Sequence, residues 1–123
     1  MKAVRGFPIL GSIGLIVASC ASPAAPPSSA EIEALQKPVL VCLHNAARKT
    51  DDGHSDAITI AVAIKSICLR EFARAEEAYM RGQNLEVQRM LAPKLESLRI
   101  EIATTAVLDE RRIRSKEASA GAE

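Results

Sequence analysis

Apolar residues recur at intervals of three and four along most of the chain after residue 31, and that period leaves room for little besides helices. Ile32, Leu35, Val39, Cys42 and Ala46 form one stripe. Ala57, Ala61, Ile64, Cys68, Phe72, Ala75 and Tyr79 form a second, and Leu91, Leu95, Leu98, Ile102 and Ala106 a third. Such spacing gathers side chains on one face of a helix, whereas a half-buried strand needs alternation at every second residue. No stretch of useful length alternates in that way.

Residues at the ends of the stripes give the helices their limits. Ser28-Ser29-Ala30-Glu31 fits a capping box, with Ser28 as N-cap and Glu31 reaching back to it. Pro38 lies inside the first stripe, removes a backbone donor, and is expected to kink or divide the helix. Thr50-Asp51-Asp52-Gly53-His54-Ser55 is dense in turn formers; Ser55 is read as the next N-cap, with Asp56 well placed against the helix dipole. Gly82 stops the second helix and Asn84 caps a third, whose first turns Pro93 is expected to disturb. Glu77 with Arg81, and Glu110 with Arg114, read as outward ion pairs one turn apart. Short turns between long helices make neighbours antiparallel. The expected fold is therefore all-α: an antiparallel helical hairpin with a third helix along it, a small up-down bundle over residues 29–114, followed by a flexible tail at 115–123.

The chain begins differently. Lys2 and Arg5 precede an uncharged apolar run from Gly6 to Ser19, the positive-then-apolar order of an export signal. The run is too short for the roughly 20 residues that a bilayer-spanning helix needs. It ends Val17-Ala18-Ser19-Cys20, which resembles the lipobox of bacterial lipoproteins. The resemblance implies that residues 1–19 are a removable signal peptide, that the Cys20 thiol receives diacylglyceryl, and that fatty chains such as palmitate then hold the mature protein to a membrane. In such proteins the residue after the cysteine influences sorting. Ala21 is not the Asp associated with inner-membrane retention, so in a host with two membranes the resemblance implies the periplasmic side of the outer membrane. Residues 20–28 join this anchor to the body; Pro, Ala and Ser dominate them, as in an extended solvated linker. Removing 19 of 123 residues leaves 104, enough for one small domain.

Three cysteines in an exported chain leave one unmatched. With Cys20 consumed by lipid, Cys42 and Cys68 remain as a pair in an oxidising compartment. Their midpoint, residue 55, falls at the end of the turn, which sets the two thiols at similar height across the hairpin. A disulfide closing such a loop stabilises by about 3–4 kcal/mol in the chain-entropy model. The competing roles are weaker: a zinc site lacks a second ligand pair, and a redox couple lacks the short spacing of its motif. The run from Cys42 through Asp51-Asp52-Gly53, Ser55-Asp56-Ala57 and Thr59-Ile60-Ala61 to Cys68 resembles small exported proteobacterial proteins of uncharacterised function. That likeness implies a disulfide-linked hairpin and no particular activity. The murein lipoprotein type is also helical and lipid-anchored, but the last residue here is Glu123 rather than the lysine that joins that type to the cell wall.

Composition narrows the functional classes. Lys2 and Arg5 are the only charges before residue 20, so 14 basic residues face 15 acidic ones beyond it, without the excess that nucleic-acid binders show. Phe72 and Tyr79 are the only aromatic residues after the leader, too few for base stacking. His44, Asp51, Asp52, His54 and Asp56 are the one group able to ligate a divalent metal. They lack the calcium-loop spacing and the paired-histidine spacing, and read better as a hydrogen-bonded turn. Arg111, Arg112, Arg114 and Lys116 read either as a contact for anionic lipid heads or cell-wall carboxylates, or as a solvated helix end that complements its dipole. No nucleophile elbow, phosphate loop or catalytic triad is present. The expectation is a membrane-anchored, non-enzymatic structural or interaction module, with no cofactor and no small-molecule substrate, facing an envelope protein partner. A small inhibitor of an envelope component and a metal binder using His44 and His54 stay open beside it.

Overall fold

A computed structural model describes residues 24–122 of the chain. Ala24 to Ser28 carry no regular structure, and four helices follow: α1 Ser29–Thr50, α2 Ala57–Ile67, α3 Leu69–Met80 and α4 Leu85–Ala120. No strand occurs among the described residues. The fold is all-α, a helical bundle in which Cys42 of α1 is bonded to Cys68, with their Cα atoms 5.9 Å apart.

The second arm of the hairpin is two helices where the apolar stripe predicts one. Cys68 stands between them at φ −98° and ψ 17°, outside helical values. Its N–H is shared between the carbonyls of Ile64 and Lys65, and its own carbonyl accepts from Phe72 N–H, so hydrogen bonding passes through the bend almost unbroken. Periodicity does not reveal such a bend, because Ile64, Cys68 and Phe72 all enter the same core. Past the bend α3 stays beside α1, tied at its far end by Arg81 Nη1 to Glu31 Oε1 at 2.9 Å. α4 packs chiefly on α2 and α1 and little on α3.

Several end signals act as the sequence predicts, and others are corrected. Ser28 caps α1, its Oγ accepting from Glu31 N–H at 3.2 Å. The Glu31 carboxylate does not return to the cap but goes to Arg81, which in turn replaces the expected Glu77–Arg81 pair. Asn84 caps α4, accepting from Val87 N–H at 2.9 Å. For α2 the N-cap is Asp56 rather than Ser55: its carboxylate accepts from the N–H groups of Ile58 and Thr59. Neither proline divides its helix. Pro38 and Pro93, and the residues Ala34 and Arg89 whose carbonyls they leave without a helical donor, all lie on exposed positions rather than in the core. α4 also continues through the segment expected as a tail, with Ser115 and Ser119 bonding back to the carbonyls of Arg111 and Ser115.

The core is concentrated in the half of the bundle nearest the α1–α2 turn. Val39, Leu43, Ala46 and Ala47 meet Ile60, Ala61, Ile64, Cys68 and Phe72, closed by Ala103, Ala106 and Val107 of α4. The alanines matter, because small side chains let helix axes approach at the short end of the usual 8–10 Å range. The first half of α4 offers leucines instead. Leu91 and Leu95 are half-buried and Leu98 is 45 % exposed, although all three belong to the predicted stripe. That half of α4 is held off, and the bundle opens.

Candidate functional site

Two regions carry the chemistry of this chain, one at each end of the bundle. At the closed end two carboxylates are buried. Asp51 follows α1 directly, with its backbone N–H donating to Ala47 O, and this places its side chain under α4. No part of that side chain reaches solvent. It accepts from Arg111 Nε at 3.0 Å and Nη2 at 2.7 Å, from Gly53 N–H at 3.1 Å, and from Arg114 Nη2. The hydrogen-bonded Arg111 guanidinium is the main reason that the carboxyl is lowered to about 2, against the opposing effect of burial. Arg111 Nη2 also donates to Ser55 O at 2.6 Å, fastening the interhelical turn to α4.

One turn away, Glu110 is 2 % exposed. Its carboxylate accepts from Arg48 Nε at 3.2 Å and Nη2 at 3.1 Å, and contacts His44 Nδ1 at 3.0 Å. A carboxylate can only accept, so the His44 proton sits on Nδ1. The bond from Arg48 holds Glu110 below the usual carboxylate range despite its burial.

These contacts reassign several residues. Glu110 is not paired outward with Arg114, as its spacing predicts, but faces inward to α1. A signal for this exists in the sequence: Ile102, Ala106 and Glu110 continue the apolar stripe at intervals of four, so the carboxylate falls on the core face. Of the C-terminal basic cluster, Arg111 and Arg114 are occupied by Asp51, and Arg112 contacts Asp109 at 3.5 Å. Lys116 is exposed. The five residues considered for a metal are dispersed. Asp52 accepts from His54 N–H at 2.9 Å and from Ser55 N–H at 2.8 Å, Asp56 caps α2, and His44 and Asp51 face different partners on α4. No group of three or more His, Cys, Asp or Glu able to hold a metal occurs among the described residues.

At the open end lies a groove. α1 contributes Ile32, Leu35 and Val39, α3 contributes Phe72, Ala75 and Tyr79, and α4 contributes Leu91, Leu95, Leu98 and Ile102. Its volume is about 520 Å³, within the usual range for small-molecule sites. The groove exists because α4 diverges from α3, leaving the leucines of the third stripe without a complete partner face. On its wall Arg99 bonds Glu76 through Nε at 2.6 Å and Glu96 through Nη1 at 3.1 Å, and lies 5.9 Å from the centre of the Phe72 ring, while Lys94 is exposed and forms no ion pair among the described residues. Periodicity identifies most of the lining residues, but not that they surround a space.

The groove lies toward the end from which the chain leaves for its N-terminus. Gly82, two residues beyond α3, adopts φ +80°, and a Cβ there would come 2.8 Å from Ala24 O. The linker therefore crosses the α3–α4 turn in close contact. Cys20, the expected lipidation site, and the expected signal peptide lie outside the described residues. No helix among the described residues is long and apolar enough to cross a membrane. No family model, no curated protein and no solved structure matches this chain.

Proposed function

We propose that the chain is an exported lipoprotein, anchored through Cys20 to the periplasmic side of an outer membrane, whose helical body is a non-enzymatic binding and interaction module. The observation that carries the module reading is the apolar groove between α1, α3 and α4, an unfilled space on a body whose other end is tightly closed. Its chemistry suits hydrophobic recognition. Aliphatic and aromatic side chains dominate its lining, and Arg99 on its wall is already paired with Glu76 and Glu96. A non-catalytic role is supported by the use of the titratable groups: Asp51, Glu110 and Asp56 each serve an ion pair or a cap that holds helices together.

The anchor rests on the leader pattern, on Val17-Ala18-Ser19-Cys20, and on the pairing of the other two cysteines with each other, which leaves Cys20 free for lipid. Two or three acyl chains make attachment lasting, since each buried methylene contributes about 0.8 kcal/mol. Labelling the host with palmitate, followed by mass spectrometry of the N-terminal peptide, tests this. The expected result is a diacylglyceryl mass on Cys20 and a Cys20→Ser chain that is unlabelled. A wild-type chain free of lipid and released in soluble form refutes the anchor. Crosslinking from Leu98 in intact envelopes tests the module, with specific adducts expected and their absence counting against it.

A further inference from the structure

We propose that the groove is an acyl-chain site and that its occupant is the lipid on Cys20 of the same molecule. This deepens the anchored-lipoprotein reading and rests on it. The first support is shape. The lining runs from Ile32 to Val39 on α1 and from Leu91 to Ile102 on α4, about 10 and 16 Å at a rise of about 1.5 Å per residue. A groove of that length and about 520 Å³ has room for a fatty chain lying along it.

Charge is the second support. Arg99 is satisfied by Glu76 and Glu96, and the exposed Lys94 is the one cation of the lining without an ion pair among the described residues, too little by itself to hold a phosphate or an acidic peptide against water. A diacylglyceryl group is neutral and needs no cation. The third is reach. Ala24 lies against Gly82, and Tyr79, three residues before that glycine, lines the groove. Cys20 is four residues upstream of Ala24, a span of at most about 14 Å. A chain attached there meets the groove at the high effective concentration of an intramolecular ligand. The groove then shields one acyl chain while the protein is in water and yields it to the bilayer, which offers the chain a more complete apolar surrounding.

The lipidated full chain provides the test. Growth on a photoactivatable long-chain fatty acid loads the reactive group on Cys20, and the purified protein is irradiated below the detergent's micelle concentration. Adducts within one chain on Leu35, Leu95 or Leu98 are expected, with none on Val62, which is exposed on α2. Adducts on other faces, or groove adducts joining two chains, overturn the proposal. In a second arm the unlipidated Cys20→Ser chain takes up one fluorescent long-chain fatty acid. Leu98→Asp, at a position exposed enough to spare the fold, weakens that uptake about tenfold or more, while the lipidated chain is blocked by its own lipid. Absence of uptake by Cys20→Ser, or equal uptake by the lipidated chain, also overturns it. The two readings fail separately: no label on Cys20 removes the anchor itself, whereas a labelled Cys20 with an unreacted groove removes only the site.

Discussion

Glu110 and Asp51 hold negative charge under almost complete cover, while the cations that satisfy them are far more open: the Arg48 side chain is 63 % exposed and that of Arg114 is 38 % exposed. The asymmetry decides which partner matters. A cation released from its pair turns to water, but a buried carboxylate that loses its donors keeps its desolvation penalty, about 1–3 kcal/mol or more for such a group. Arg48→Ala should therefore lower the urea midpoint well beyond the effect of an ordinary surface substitution, and adding Glu110→Gln in that background should recover much of the loss. Urea unfolding of both variants checks the order. Acid should act on the same end of the bundle. The Asp51 carboxyl is lowered from 3.8 to about 2, so its contribution is complete above its unfolded value and is lost as pH falls from about 4 through about 2. Glu110 shifts in the same direction and adds to the same slope. A fall in Tm through that window is expected in the wild type. Asp51→Asn should flatten part of it, at a cost near neutral pH of about 2 kcal/mol from the linkage.

Helix ends show how much the sequence can say locally and where it stops. Ser28 and Asn84 are legible as caps because a short oxygen-bearing side chain directly precedes a periodic run. At Ser55-Asp56 two such residues are adjacent, and spacing alone does not choose. The choice is made by Asp52, which draws both the N–H and the Oγ of Ser55 into the turn and leaves Asp56 to cap α2. The bend at Cys68 is a tertiary outcome of the same kind, since it depends on what α1 and α4 place opposite, whereas the inward position of Glu110 is legible in the interval of four that runs from Ile102 through Ala106. The groove is least legible of all, since the pattern marks leucines without measuring the distance to the facing helix. Two glycines separate local from tertiary constraint experimentally. Gly53 and Gly82 have similar dihedrals, φ +77° and φ +80°, but a Cβ at Gly53 meets nothing within 4 Å while one at Gly82 comes 2.8 Å from Ala24 O. Gly53→Ala should cost only the left-handed backbone penalty, about 1 kcal/mol. Gly82→Ala should cost more and should also release residues 24–26 from the turn, read as faster proteolysis of the linker alongside a lower Tm.

Across the whole molecule, stability is graded from one end to the other, and the gradient follows from side-chain size and from where the staples lie. The closed end combines alanine-mediated contact between α2 and α4, the buried carboxylates, and a disulfide joining α1 to the bend. The open end has the groove, the half-buried Leu91 and Leu95, and the more exposed Leu85, Met90 and Leu98. Apolar side chains are exposed along much of the body, Ile58 and Val62 of α2 among them, but at the open end they border an apolar groove, and local opening is cheapest where few apolar contacts resist it. Hydrogen exchange reads this directly. Amides of α4 between residues 88 and 98 should exchange through openings of lower free energy than those between residues 103 and 110, although both stretches belong to one unbroken helix. Replacing Cys42 and Cys68 by alanine should remove about 3–4 kcal/mol from global stability and lower the protection of the closed end most, since its protection is limited by global unfolding. The open end exchanges by local opening and should change less. Equal protection along α4 would mean that its first half is held as firmly as its second, and the groove would then be a rigid defect of packing instead of a surface able to accommodate a ligand.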